Sequence, residues 1–159
     1  MEQFSCKTKI VSGSGATAYL KELKSRKLLV VSDPYFMENG VAEKLAGLSG
    51  AAEYRTFHDI CPDPTVELAA AGTALVREFM PDTVVALGGG SAIDCAKAMV
   101  YFGGVAVTFV AIPTTSGSGS EVTDFAVLTH GSTKHPLVDE KLRPDVAILD
   151  SALLENLPK

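Results

Sequence analysis

Residues Thr83–Ala98 read TVVALGGGSAIDCAKA, which is the pattern of a buried strand, a glycine turn and a helix start. β-Branched residues dominate the strand, Thr83–Leu87. Gly88, Gly89 and Gly90 form the turn, Ser91 is placed to cap the helix, and Asp94 falls in its first turn. Such a turn lets backbone pass close to a bulky anion. The helix start beyond it offers free N–H groups and a positive dipole end. This predicts a phosphate cradle, although the same residues also suit a plain tight turn between strand and helix. The stretch is neither the G-x-G-x-x-G dinucleotide fingerprint nor a Walker A loop, because no Gly-Lys-Ser/Thr follows. Lys97 lies too far along the helix to serve as a P-loop lysine.

A second loop strengthens the reading. Val105–Ile112 (VAVTFVAI) is another apolar run, and it enters Pro113-Thr114-Thr115-Ser116-Gly117-Ser118-Gly119-Ser120-Glu121-Val122-Thr123. In parallel α/β sheets ligands sit at the carboxyl ends of strands, so two such loops can face one ligand. The competing reading is a flexible Ser/Gly linker. The strong apolar segments on both sides argue against it.

The chain has 159 residues, enough for one domain with a full core. A hydrophobic fraction of 47% and a charged fraction of 21% are those of an ordinary globular protein. The net charge of −5 disfavours a nucleic-acid partner. Lys7, Lys9, Lys21, Lys24, Arg26 and Lys27 are scattered rather than clustered. Cys6, Cys61 and Cys95 form no C-x-x-C pair, so neither a disulfide framework nor a zinc knuckle is suggested, and a reducing, cytoplasmic setting fits. Cys95 reads as core packing. Met1–Ser5 lacks the apolar stretch of a signal peptide. No apolar run approaches the ~20 residues of a membrane span.

Along the chain, strands alternate with helices. The expected elements are an edge strand at Phe4–Val11, a helix at Ala16–Lys24 and a strand at Lys27–Ser32 ended by Asp33 and Pro34. A helix over Phe36–Leu48, a strand at Glu53–Phe57 and a helix at Val66–Phe79 follow. The apolar side of that last helix is assigned to Val66, Leu68, Ala69, Ala70, Leu75, Val76 and Phe79. The helix after the glycine turn is expected to reach about Phe102. Beyond the Ser/Gly loop come strands at Asp124–Thr129, Thr133–Val138 and Pro144–Leu149, with Asp150 capping Ser151–Leu154. This rhythm predicts an α/β fold, a Rossmann-like parallel sheet with helices on both faces.

Five segments in this order resemble the iron-dependent (group III) alcohol dehydrogenase family. They are VVSD at 30–33, PDPT at 62–65, ALGGGSAIDCAKA at 86–98, IPTTSGSGSEVT at 112–123 and PDVAILD at 144–150. The resemblance implies the N-terminal dinucleotide-binding domain of the dehydroquinate-synthase-like fold over residues 1–159. It also implies NAD(P)-dependent interconversion of an alcohol and an aldehyde or ketone, assisted by a divalent metal. In the family, hydride passes between the alcohol carbon and C4 of nicotinamide while the metal stabilises the alkoxide.

Carried over by position, the resemblance places Asp33 near the adenosine ribose. A carboxylate there would hydrogen-bond the 2′-OH and repel a 2′-phosphate, favouring NAD over NADP; Asp33 also reads simply as a strand-end turn former. Asp63 matches a loop beside the adenine half. Gly89, Gly90 and Ser91 match the pyrophosphate turn, with Asp94 toward the nicotinamide. Thr114, Thr115 and Ser118 match the second loop. Thr123, Val127, Lys134 and Leu153 match further cofactor-lining positions. The family's metal ligands, an aspartate and three histidines for iron or zinc, belong to a C-terminal helical domain that this sequence does not contain. His58, His130, His135 and Asp150 match none of them. No significant alcohol dehydrogenase activity is therefore expected of these residues alone, and self-association into dimers or larger species is expected from the apolar surface left uncovered. The alternatives are a half of a glycerol dehydrogenase-like or dehydroquinate synthase-like enzyme, against which the PTTSGSGSEVT loop argues, and a non-catalytic nucleotide-binding module.

Overall fold

A computed structural model describes residues 6–155. Six parallel strands form one sheet in the order β1-β8-β5-β4-β2-β3. They are β1 (Lys9–Ser12), β2 (Lys27–Ser32), β3 (Glu53–Phe57), β4 (Thr83–Gly88), β5 (Thr108–Pro113) and β8 (Val146–Leu149). A separate antiparallel hairpin pairs β6 (Phe125–His130) with β7 (Thr133–Val138). The three central strands β2, β4 and β5 are buried along most of their length, as continuous apolar runs covered on both faces should be.

Two apolar layers lie on opposite faces of the sheet. One gathers Leu28, Val30, Val85 and Val110 with α1 (Pro34–Glu38), α2 (Val41–Ser49) and the 3-10 helix Ala16–Leu23. The other gathers Leu29, Val31, Val84 and Ala111 with α3 (Val66–Phe79), α4 (Gly90–Gly103) and Leu128 of the hairpin. The inward positions alternate along each strand, as the pleat requires. Helices α3 and α4 approach closely where they carry glycine. A Cβ on Gly72 would lie 2.5 Å from Met99 Sδ, and one on Gly103 2.7 Å from Val76 Cγ1.

Several expected boundaries shift, each for a local reason. The helix expected over Phe36–Leu48 is two helices, because Gly40 turns into the left-handed region at φ 68. Residues 16–23 form a 3-10 helix between left-handed residues at Gly15 and Lys24. The strand expected at 105–112 enters the ladder only at Thr108, whose N–H donates to Asp82 O. β8 starts at Val146 because Pro144 has no N–H; its carbonyl accepts from Thr8 Oγ1 instead. On α3, Val66 and Ala70 are exposed, and Gly72 and Thr73 are buried in their place. The edge strand begins at Lys9, and the part of that expectation before Cys6, like the reading of Met1–Ser5, lies outside the described residues.

Gly88 ends β4 at φ 144, and a Cβ there would meet Ala92 Cβ at 2.8 Å and Asp33 Oδ2 at 3.3 Å. Gly47, exposed in the last turn of α2, has nothing within 4 Å. Gly88→Ala should therefore cost about 2 kcal/mol or more of unfolding free energy. Gly47→Ala should gain up to about 1 kcal/mol. Urea titration of both variants tests the contrast, and equal effects would contradict it.

Candidate functional site

Three strands deliver their loops to one place because their registers align. Ser32 pairs with Leu87, and Gly88 with Pro113, so β2, β4 and β5 end level at the carboxyl edge. The chain leaves β2 toward β3 on one side and leaves β4 toward β5 on the other. The gap between β2 and β4 is thus the point where the winding reverses, the usual ligand position in such sheets.

A cleft of about 620 Å³ opens there. It is lined by Asp33, Gly89, Gly90, Ser91, Thr114 and Thr115, six of the expected residues, together with Tyr35, Phe36, Ile60, Cys61 and Pro62. Thr114 N–H donates to Gly88 O at 2.9 Å, which pins the second loop against the first. Cβ atoms built on Gly89 and Gly90 would reach 3.1 Å from Thr115 Oγ1 and from Ser118 Cβ. The two loops thus touch across the glycines with no room for side chains.

Ser91 does not cap α4, and this corrects the sequence reading. Gly89 occupies the cap position in an extended conformation and no side chain closes the helix start. The opening amides of α4 consequently remain available at the cleft. Asp94 stands in the second turn rather than the first. Asp33 accepts from Phe36 N–H at 3.4 Å as the cap of α1, so it is both a turn former and part of the cleft wall.

The other expected residues are not part of the cleft lining. Asp94 Oδ2 accepts from Val127 N–H at 3.0 Å. Its Oδ1 is buried and has no partner among the described residues. Burial raises its pKa above the usual carboxylate value, opposed by the Val127 amide, the Ser120 hydroxyl and the Lys97 charge. Asp63 and Lys134 form an exposed ion pair at 2.7 Å. Thr123 meets Lys97, not the cleft wall. Leu153 packs against the core layer of α1 and α2. Asp150 is held by Gly15 and Thr17 and accepts from Ala152 N–H, the cap expected of it. His58, His130 and His135 are exposed. Among the described residues no group of three or more His, Cys, Asp or Glu side chains converges to hold a metal ion. Cys95 is buried, and burial pushes its thiol up to about 12.

The sequence reading placed Lys97 on the helix and excluded it as a P-loop lysine, but gave it no further role. It is 1% exposed, and Nζ donates to Thr123 O at 2.9 Å, Thr123 Oγ1 at 3.1 Å and Phe125 O at 2.7 Å. The signal was its setting, a lysine enclosed by Cys95, Ala96, Ala98 and Met99 on a helix bound to be buried.

Comparison with known proteins identifies the family and the fold. The family model for iron-containing alcohol dehydrogenases matches residues 7–151, and the chain belongs to that family. It is 40% identical to 1-propanol dehydrogenase PduQ of Citrobacter freundii over 99% of its own length and 45% of that protein's. It is 37% identical to the NADPH-dependent butanol dehydrogenase of Clostridium saccharobutylicum, over 99% and 47%. Among solved structures, it superposes on sulfoacetaldehyde reductase from Bifidobacterium kashiwanohense, determined in complex with NAD+. The TM-score is 0.88 at 29% identity, over 99% of this chain and 48% of that one. The chain spans about half the length of the curated relatives it matches. No helix among the described residues is long and apolar enough to cross a membrane.

The Lys97 environment predicts a pH dependence. Burial lowers its pKa from 10.5 to about 8, partly offset by Asp94, Asp124 and Glu121. Above about pH 8 the folded chain releases this proton while the unfolded chain keeps it, so ν_U exceeds ν_N and this residue's contribution to stability rises with pH. Denaturation should show wild type gaining on Lys97→Met as pH goes from about 7 to about 9.5. A parallel pH dependence in the two proteins would contradict the buried ammonium.

Proposed function

We propose that this chain is the NAD(H)-binding portion of a dehydrogenase that passes hydride between a short primary alcohol and its aldehyde. The observation that carries the reading is the convergence of the glycine turn, the uncapped start of α4 and the Thr114–Thr115 loop on one cleft. Residues present in that cleft fit a dinucleotide. Gly89, Gly90 and the α4 amides offer donors to a pyrophosphate, and the missing Cβ atoms of the glycines let the Thr115 and Ser118 loop close against the turn. Asp33 is suited to a ribose hydroxyl at the β2 end. The buried, unpartnered Oδ1 of Asp94 is suited to a donor such as a carboxamide N–H₂. The cofactor, when bound, supplies the hydride acceptor.

This chain's own residues hold and orient. The α4 amides and dipole favour the diphosphate charge. The apolar wall of Phe36, Ile60 and Pro62 suits a flat base. Asp63, Ser118, Thr123, Val127, Lys134 and Leu153 are assigned to the rim and its support. The metal that the family name implies has no ligand set among the described residues. Cys6, Cys61 and Cys95 are unpaired and suit a reducing compartment such as the cytoplasm. Exposed apolar side chains such as Val138 and Phe125 favour self-association.

Calorimetric titration of the purified chain with NADH and NADPH tests the reading. NADH should bind about tenfold or more tightly than NADPH. Asp33→Ser keeps a capping oxygen and should narrow that gap about tenfold. Binding of neither nucleotide would refute the cofactor assignment, and equal binding of both by wild type would refute the role of Asp33.

A further inference from the structure

A second cavity lies at the opposite end of the sheet from the cleft. β5 delivers Thr114 to the cleft at its end, whereas Val107 and Phe109 at its start line this groove. The groove has a volume of about 480 Å³, an ordinary size for a small-molecule site. Its other walls are the end of α4, at Val100 and Tyr101, and the chain from Glu140 to Asp145 that leads into β8. It shares no residue with the cleft.

Four charged side chains line the groove, and they are of two kinds. Glu140 is compensated by Lys7 at 3.2 Å, and Arg143 by Asp124 at 2.7 Å. Lys141 and Asp145 have no ion-pair partner among the described residues. Asp145 Oδ2 accepts from Phe109 N–H at 2.8 Å, which fixes the carboxylate at the groove, and Oδ1 has no partner among the described residues. The Arg143 side chain is only 19% exposed, and beyond the Nη2 bond to Asp124 its guanidinium has no partner among them either. The groove thus presents one uncompensated cation, one uncompensated anion and spare guanidinium donors. Half-buried Val100, Val105 and Val107 add apolar surface beside them.

This combination selects a ligand by charge. A simple anion meets Lys141 but faces Asp145, and a simple cation meets the reverse. A molecule that carries both signs and an apolar body matches all three features. The carboxyl end of α4 borders the groove through Tyr101 and Gly104, and its dipole favours the cationic group.

We propose that this groove binds a small zwitterion, an α-amino acid with an aliphatic side chain. Its carboxylate meets Lys141 and Arg143, its ammonium meets Asp145, and its side chain lies against Val100, Val105 and Val107. The proposal stands apart from the nucleotide reading, since the two sites occupy opposite ends of the sheet.

Backbone NMR of the purified chain titrated with L-leucine tests this. Shifts at Tyr101, Gly104, Val105 and Lys141 should saturate in the millimolar range or below. Two analogues each lack one charge, 3-methylbutylamine the carboxylate and 4-methylpentanoate the ammonium. Each should bind about tenfold or more weakly than leucine. Lys141→Gln and Asp145→Asn should each weaken leucine about three- to tenfold, and the asparagine keeps an acceptor for Phe109 N–H. Should Asp145→Asn fail to fold, Lys141→Gln and the two analogues decide the matter. Shifts that stay linear to the solubility limit, an analogue that binds as well as leucine, or unchanged affinity in either folded variant would overturn the proposal. Leucine affinity should be the same with and without NADH. Competition between the two would place leucine in the nucleotide cleft and overturn the separate site. A chain that binds leucine but not NADH would refute the nucleotide reading alone.

Discussion

Gly88 leaves β4 at φ 144 with Ala92 and Asp33 pressed against the space a side chain would need. The geometry of the cleft follows from this one close approach. It turns the chain sharply enough for Gly89 to cap α4 by backbone alone. The α4 amides then open onto the carboxyl edge of the sheet instead of onto a serine side chain. It also leaves the Gly88 carbonyl free to receive Thr114 N–H, which draws the second loop over the first. A residue with a Cβ at 88, 89 or 90 would push on Ala92, Thr115 or Ser118 and widen the gap that a diphosphate is proposed to span.

Helix α4 also organises the far side of the site. Its first turn faces the cleft, and its second and third turns carry Asp94 and Lys97 to the hairpin. A charge pair one turn apart would ordinarily be spent on itself or on solvent. Here each member is engaged by backbone of β6 or by Thr123, so the hairpin is held by side chains where a sheet would use a strand. This lets the hairpin stand outside the six-stranded sheet and still be fixed relative to the loops.

Much of this was legible in the residues. The apolar runs at 28–31, 84–87 and 109–112 could only be central strands, and they pair side by side. The glycine turn and the Ser/Gly loop were recognisable because strand-loop-helix composition changes abruptly there. What escaped notice involved contacts distant in sequence. Whether Ser91 or Gly89 caps α4 depends on backbone direction after Gly88, which no propensity encodes. The break at Gly40 competes with a continuous apolar pattern on both sides of it. Exposure of Val66 and Ala70 depends on how closely Gly72 lets α3 approach α4. The destination of Lys97 required knowing that residues 123–125 would pass beside α4. Asp63 and Lys134, assigned to the site separately, turn out to be an ion pair joining the α3 entry to the hairpin.

The central claim is that the loops after β2, β4 and β5 form one nucleotide site. Backbone NMR of the isotopically labelled chain during NADH titration tests it most directly. The account predicts the largest shifts at Gly89, Gly90, Ser91, Thr114 and Thr115, with smaller ones at Asp33 and Asp94. Shifts centred elsewhere, for example on the opposite end of the sheet around Tyr101 and Arg143, would contradict it, as would an unchanged spectrum at saturating NADH.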